Sequence, residues 1–295
     1  MDIQEYLETR KAMVDEALHD FIQGRYPDEL SEMAAYITTG GKRLRGIMAI
    51  LVCEALEGQA EEAIVAACAV ELCQAASLVK DDFMDNDSQR RGKPSFWKQF
   101  GMQLTMLVPD MIIPHATLFT QKYGSRALMS VVAAWANLTK GQLLDYPKFR
   151  GIFPIHAETY DQIIGLKTAP LFEVASELGA RASRKDWFIT PAKQFGFNAG
   201  MAFQAFDDAC DLKRVVSQPW EAASKGELPV SLRALKTRVD GVDLVREQDY
   251  LAVLKFGEAY LDHAVKATGN FPNTPVSEIL KQFPQFCCDA LLKEA

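Results

Sequence analysis

The chain has 295 residues, 48% hydrophobic and 24% charged, the balance of an ordinary globular protein and not of a disordered or fibrous one. A net charge of −7 disfavours a nucleic-acid partner, which calls for a basic face, and no apolar run is read as reaching the ~18–20 residues of a membrane span. Six cysteines (Cys53, Cys68, Cys73, Cys210, Cys287 and Cys288) contain no zinc-like CxxC pair. Four lie in apolar helical contexts, so reduced core thiols and a cytoplasmic setting are expected.

The N-terminus, MDIQEYLETRK, is acidic and amphipathic, unlike a signal peptide. Helical periodicity predicts segments at 2–22, 42–57, 61–80, 101–120, 125–145, 157–179, 191–212 and 246–267. The 61–80 run, EEAIVAACAVELCQAASLVK, is apolar nearly all round, the pattern of a buried central helix. Pro109 and Pro114, with Asp110 between them, flank an expected kink; Phe271–Cys288 reads as a capping helix and loop, with Lys281 placed to close over an anion. Alternating β-branched runs are scarce and no Gly/Ser linker divides the chain. The expected fold is all-α, a single-domain helical bundle over residues 1–295. The histidines His19, His115, His156 and His263 show no metal spacing.

Two copies of Asp-Asp-x-x-Asp stand out: Asp81-Asp82-Phe83-Met84-Asp85 and Asp207-Asp208-Ala209-Cys210-Asp211. Positions i and i+4 of a helix share a face and i+1 lies beside them, so each motif is expected to project three carboxylates from one side, at the C-terminal end of a helix. Concentrated negative charge is costly without a cation among the carboxylates. Mg²⁺ prefers oxygen ligands and bridges carboxylates to phosphates. Basic residues suited to anions recur at Gly40-Gly41-Lys42-Arg43-Leu44-Arg45, at Arg90-Arg91-Gly92-Lys93-Pro94 and at Lys167-Thr168. Taken with the acidic pair, they point to two anionic groups, one metal-bound and one held by Arg and Lys.

With these residues in view, the chain resembles the trans-isoprenyl diphosphate synthases, or polyprenyl synthetases. The matching segments are GGKRLR (40–45), ELCQAASLVKDDFMDNDSQRRGKP (71–94), KGQLLDY (140–146), KTAPLF (167–172) and GMAFQAFDDACD (200–211). The resemblance implies an isoprenoid-synthase bundle around a deep central cavity, usually a homodimer, that joins isopentenyl diphosphate head-to-tail to an allylic diphosphate. By resemblance, Asp81, Asp82, Asp85, Asp207, Asp208 and Asp211 would hold Mg²⁺, three ions per site. Arg90, Lys167 and Lys225 would hold the allylic diphosphate, and Lys42, Arg45, Gln74 and Arg91 isopentenyl diphosphate. Lys167, Thr168 and Gln204 would face the reacting carbon.

Two departures from the family pattern stand out. Lys80 precedes the first Asp pair where the family often has His or Ala, and would pair with a carboxylate or add to diphosphate binding. The segment after Asp211, LKRVVSQPWEAASKGELP, is short; Lys225 matches only the later of two family lysines, and Lys213 substitutes weakly for the earlier one. Upstream of Asp81, small side chains at Ala76 and Ser77, then Cys73, Leu72 and Ala69, leave the expected cavity floor open, with Leu118 or Phe119 as residues that would close it. The expected product has twenty carbons or more. Competing readings are a partner subunit of a heteromeric synthase, a terpene cyclase, and a prenyltransferase with another acceptor.

Overall fold

The structure, a computed structural model, describes residues 2–23, 26–145, 159–217, 237–239, 242–244 and 247–294. In chain order the helices are α1 (Ile3–Gln23), α2 (Asp28–Thr38), α3 (Leu44–Ala55), α4 (Ala60–Asp85), α5 (Phe96–Phe100), α6 (Met102–Phe119), α7 (Ser125–Asp145), α8 (Thr159–Lys167), α9 (Ala169–Ala182), α10 (Ile189–Ser217), α11 (Glu247–Ala267) and α12 (Pro275–Glu294). Two small antiparallel pairs complete the set: β1 (Gln89–Arg90) with β2 (Lys93–Pro94), and β3 (Thr237–Val239) with β4 (Val242–Leu244). The fold is all-α, as expected.

The chain divides into two compact units. One holds Met1–Val132, Val174–Ile189 and Pro272–Ser277; the other holds Ala133–Glu173, Thr190–Phe271 and Glu278–Ala295. In the first, α4 packs against α3 and α6, with α1, α2 and α5 in further contact. Neighbours on several sides explain its apolar circumference. By length and composition α4 could cross a membrane, with a mean hydropathy of 1.6 over its most apolar window. That corrects the reading that no run is apolar enough; 67% of the window is buried inside the protein. The helix starts where Glu62 accepts the Gln59 N–H at 3.2 Å and stops where Asn86 turns left-handed at φ 59°.

A buried ion cluster ties the first unit together. Arg43, 6% exposed, donates to Asp15 Oδ1 at 2.7 Å and to the Thr38 carbonyl, and its guanidinium lies 3.8 Å from Glu71 Oε2. Glu71 in turn accepts the Gly46 N–H at 2.8 Å, joining α4 to α3. The second unit is built on α8, α10 and α11. Tyr160, Ile164, Met201, Ala205 and Val253 form its buried cluster, with Phe197 and Phe256 packed against it.

Several boundaries differ from expectation. The segment 157–179 divides at Thr168, because Pro170, in the first turn of α9, has no N–H with which to continue the hydrogen bonding of α8. Helix α2 was not predicted: its run DELSEMAAYIT buries only Ser31, Ala34, Ile37 and Thr38, a weak periodic signal. The C-terminal segment is a short loop over 271–274 and then α12, as expected, with the helix running through Pro284 to Glu294. Pro109 and Pro114 both lie inside α6.

Candidate active site

Gly40 and Gly41, between α2 and α3, adopt φ +77° and +97°, which side-chain-bearing residues rarely adopt. This turn seats Arg91. Its Nη1 donates to the Thr39 and Gly40 carbonyls at 2.9 and 2.8 Å, and a Cβ on Gly41 would lie 2.7 Å from its Nη2. Burial and then the neighbouring Arg43 charge push the Arg91 pKa down. The two basic motifs, far apart in sequence, thus meet. Beside them lies a cavity of about 110 Å³, lined by Ile37, Leu78, Val79 and Phe96 together with Asp82, Arg90 and Arg91. Of the other expected residues here, Lys42 is exposed, while Arg45 and Gln74 are half-buried.

The first acidic motif occupies the last turn of α4, as expected, but its carboxylates do not share one environment. Asp82 is 3% exposed; Arg90 Nε donates to its Oδ1 at 2.8 Å. Burial raises its pKa against the opposing pull of Arg90. Asp81 is half-buried and Asp85 exposed. Lys80 pairs with Asp110 of α6 at 2.7 Å, so the expected carboxylate partner exists and lies outside the motif. Below the motif, Leu72, Cys73 and Ala76 are fully buried, with Ala69 close to it; Ser77 is half-buried and donates to the Gln74 carbonyl at 2.8 Å. Leu118 is exposed, whereas Phe119 meets Phe21 edge-on at 4.2 Å.

The second motif repeats the arrangement within the other unit. Asp208 is 2% exposed, while Asp207 and Asp211 are half-buried. Tyr160 donates to Asp208 Oδ2 at 2.9 Å and Gln204 Nε2 to its Oδ1 at 3.0 Å. Burial, with the adjacent charges of Asp207 and Asp211, pushes Asp208 up to about 7 despite those two donors. Thr168 donates to Gln204 Oε1 at 2.6 Å, and Lys167 pairs with Asp145 at 2.9 Å. Gly141 lets the backbone at Lys167 come close: a Cβ there would lie 2.5 Å from the Lys167 backbone nitrogen. Unlike the first motif, this one is not at a helix end, because α10 continues to Ser217.

In each motif, then, the middle aspartate faces inward and is braced by hydrogen bonds, while the outer two are the more open. The expectation that all three project alike fails because i+1 lies about 100° from i around a helix, and that turn carries it into the packed side. Among the described residues no three acidic, histidine or cysteine side chains already converge as a metal cage. The donor chemistry still fits Mg²⁺, which takes one or two carboxylates and completes its shell with phosphate oxygens and water. Burial is the larger cause of the raised Asp208 pKa and the charges of Asp207 and Asp211 the smaller; a cation beside the motif would offset both.

Lys225, the loop around it, His156 and Tyr146 lie outside the described residues. Lys281 pairs with Glu278 of its own helix at 2.6 Å. Sequence reasoning passed over Arg43, Asp145 and Tyr160. The first two stand inside quoted motifs. Tyr160 lies two helical turns before Lys167 in an apolar segment, a weak signal by itself.

The sequence profile described as Polyprenyl synthetase matches residues 27–218. This chain belongs to the polyprenyl synthetase family. It is 27% identical to a hexaprenyl pyrophosphate synthase of Saccharolobus solfataricus over all of this chain and 98% of that protein. It is 33% identical to a geranylgeranyl diphosphate synthase of Cyanophora paradoxa, over 70% of this chain and 73% of that one. The solved structure of a geranylgeranyl pyrophosphate synthetase from Pyrococcus horikoshii superposes with a TM-score of 0.80 at 26% identity, over 97% of this chain and 98% of its own. As a member of this family, the chain is a prenyl diphosphate synthase.

Proposed function

We propose that this polyprenyl synthetase extends an allylic prenyl diphosphate by head-to-tail condensation with isopentenyl diphosphate, giving a trans-polyprenyl diphosphate of twenty carbons or more and releasing diphosphate. The observation that carries the reading is the shared construction of the two acidic motifs. Each offers two carboxylates at i and i+4 that are more open than the buried, hydrogen-bonded third between them.

In this reading Asp81, Asp85, Asp207 and Asp211 take up Mg²⁺, three ions per site, with Asp82 and Asp208 completing the acidic set. The metal, when bound, neutralises the diphosphate and makes it a competent leaving group. Arg90 and Lys167 add positive charge toward the allylic diphosphate, and Lys225 is assigned with them from the resemblance. Arg91, held by the glycine turn, supplies a planar fork for the second diphosphate, with Lys42 and Arg45 as further cations and Gln74 as a hydrogen-bond donor. Thr168 and Gln204 present their dipoles to the carbon where positive charge develops. From the resemblance, the growing chain is assigned to Ala76, Ser77, Cys73 and Leu72 of α4, an apolar column that excludes water.

The exposed apolar side chains Met106, Leu107 and Leu118 of α6 and Met129 of α7 support a homodimer. Six free, buried cysteines accord with a cytoplasmic setting. The test is a product chromatogram from the purified chain with Mg²⁺, isopentenyl diphosphate and allylic primers of increasing length. Elongation to twenty carbons or beyond is expected. Lack of turnover with every primer refutes the reading in favour of a partner subunit. Hydrocarbon release without isopentenyl diphosphate refutes it in favour of a cyclase.

A further inference from the structure

We propose that Tyr160 is a positioning residue which, through Asp208, dictates the direction in which the Gln204 carboxamide points. The four side chains form one directed chain. Thr168 Oγ1 donates to Gln204 Oε1 at 2.6 Å, Gln204 Nε2 donates to Asp208 Oδ1 at 3.0 Å, and Tyr160 donates to Asp208 Oδ2 at 2.9 Å. The amide has two possible orientations, and the Thr168 hydroxyl is satisfied by either, since it both donates and accepts. Asp208 is the discriminating end. With the amide reversed, Oε1 would face a carboxylate oxygen inside a buried site, an acceptor against an acceptor. Asp207 Oδ2, 3.5 Å from Gln204 Nε2, favours the same orientation.

Asp208 discriminates only while its carboxylate is held still. Tyr160 does this by occupying the oxygen that Gln204 does not use. The phenol is itself fixed: its ring is 4% exposed and meets Phe256 edge-on at 5.5 Å. Resting on the function proposed above, the consequence is catalytic. A fixed amide presents its carbonyl end beside Thr168, where positive charge grows, instead of its positive N–H end. Tyr160 touches no substrate in this scheme.

The test substitutes Tyr160→Phe, which keeps the ring packing and removes one hydroxyl. In protein labelled with ¹⁵N-glutamine, the Gln204 side-chain resonance is identified by its loss in Gln204→Ala. Tyr160→Phe is expected to move that resonance and leave the other glutamine side chains in place; an unmoved Gln204 resonance overturns the proposal. In steady-state assays Tyr160→Phe is expected to lower kcat about tenfold, the effect of one lost buried hydrogen bond, with KM for both substrates within about threefold. Introduced into Gln204→Ala it should lower kcat by less than about twofold more; an independent tenfold loss there means Tyr160 does not act through Gln204. Should Tyr160→Phe fail to melt cooperatively, Phe256→Leu, which loosens the seat of the Tyr160 ring and leaves Asp208 and Gln204 in place, is held to the same resonance criterion. A wild-type chain inactive on every primer sinks the proposed function, while the resonance test still judges the hydrogen-bond chain.

Discussion

The Gly40-Gly41 turn offers a perturbation whose two components separate cleanly. Both glycines have positive φ, so alanine at either carries about 1–2 kcal/mol of left-handed strain. Only one of them collides with the arginine. At Gly40 the new methyl would sit 3.4 Å from Arg91 Cδ, an ordinary contact; at Gly41 it would sit 2.7 Å from Nη2 and 2.9 Å from Cζ. The guanidinium must therefore leave its seat in Gly41→Ala and stays in Gly40→Ala. Both variants are expected to lose a few degrees of Tm by similar amounts. A charge-assisted hydrogen bond to a diphosphate is worth about 1.5–3 kcal/mol, which converts to a rise of roughly 10–150-fold in KM. KM for isopentenyl diphosphate should rise by that factor in Gly41→Ala and by less than about threefold in Gly40→Ala. The assay is initial rate against isopentenyl diphosphate at saturating primer, with melting curves on the same samples. Equal KM values in the two variants would refute the assignment of Arg91 to that diphosphate.

Two further outcomes follow from the first unit. Arg43→Met strands buried Glu71 beside the vacated guanidinium site, and breaking a buried pair costs about 3–5 kcal/mol. Urea denaturation should show a loss of that size, and a change under about 1 kcal/mol would mean the cluster contributes little. Ala76→Phe places a ring five residues, about 7.5 Å of helical rise, before Asp81. Overpacking at this fully buried position costs about 1–3 kcal/mol. Gas chromatography of the dephosphorylated products should show shortening by at least one isoprene unit, and unchanged length rejects Ala76 as part of the floor.

The sequence by itself determined the helical class, the buried character of α4 and the residue types of the site. Periodicity reports which side chains share a face, and apolar residues all round 61–80 require neighbours all round. Motif spacing also identified both aspartate triplets. What it left open was which face of each helix the rest of the chain would cover. Asp81 and Asp82 are chemically identical neighbours, yet packing leaves one half open and buries the other against Arg90. In GGKRLR, Arg43 reads no differently from Lys42 or Arg45, but its guanidinium is the buried one that meets Asp15 and Glu71. Asp145 and Tyr160 gain their importance from partners 22 and 48 positions away. Local periodicity constrains neighbours along one helix; contacts across such separations arise only when helices pack, because chain spacing carries no information about which side chains burial brings together.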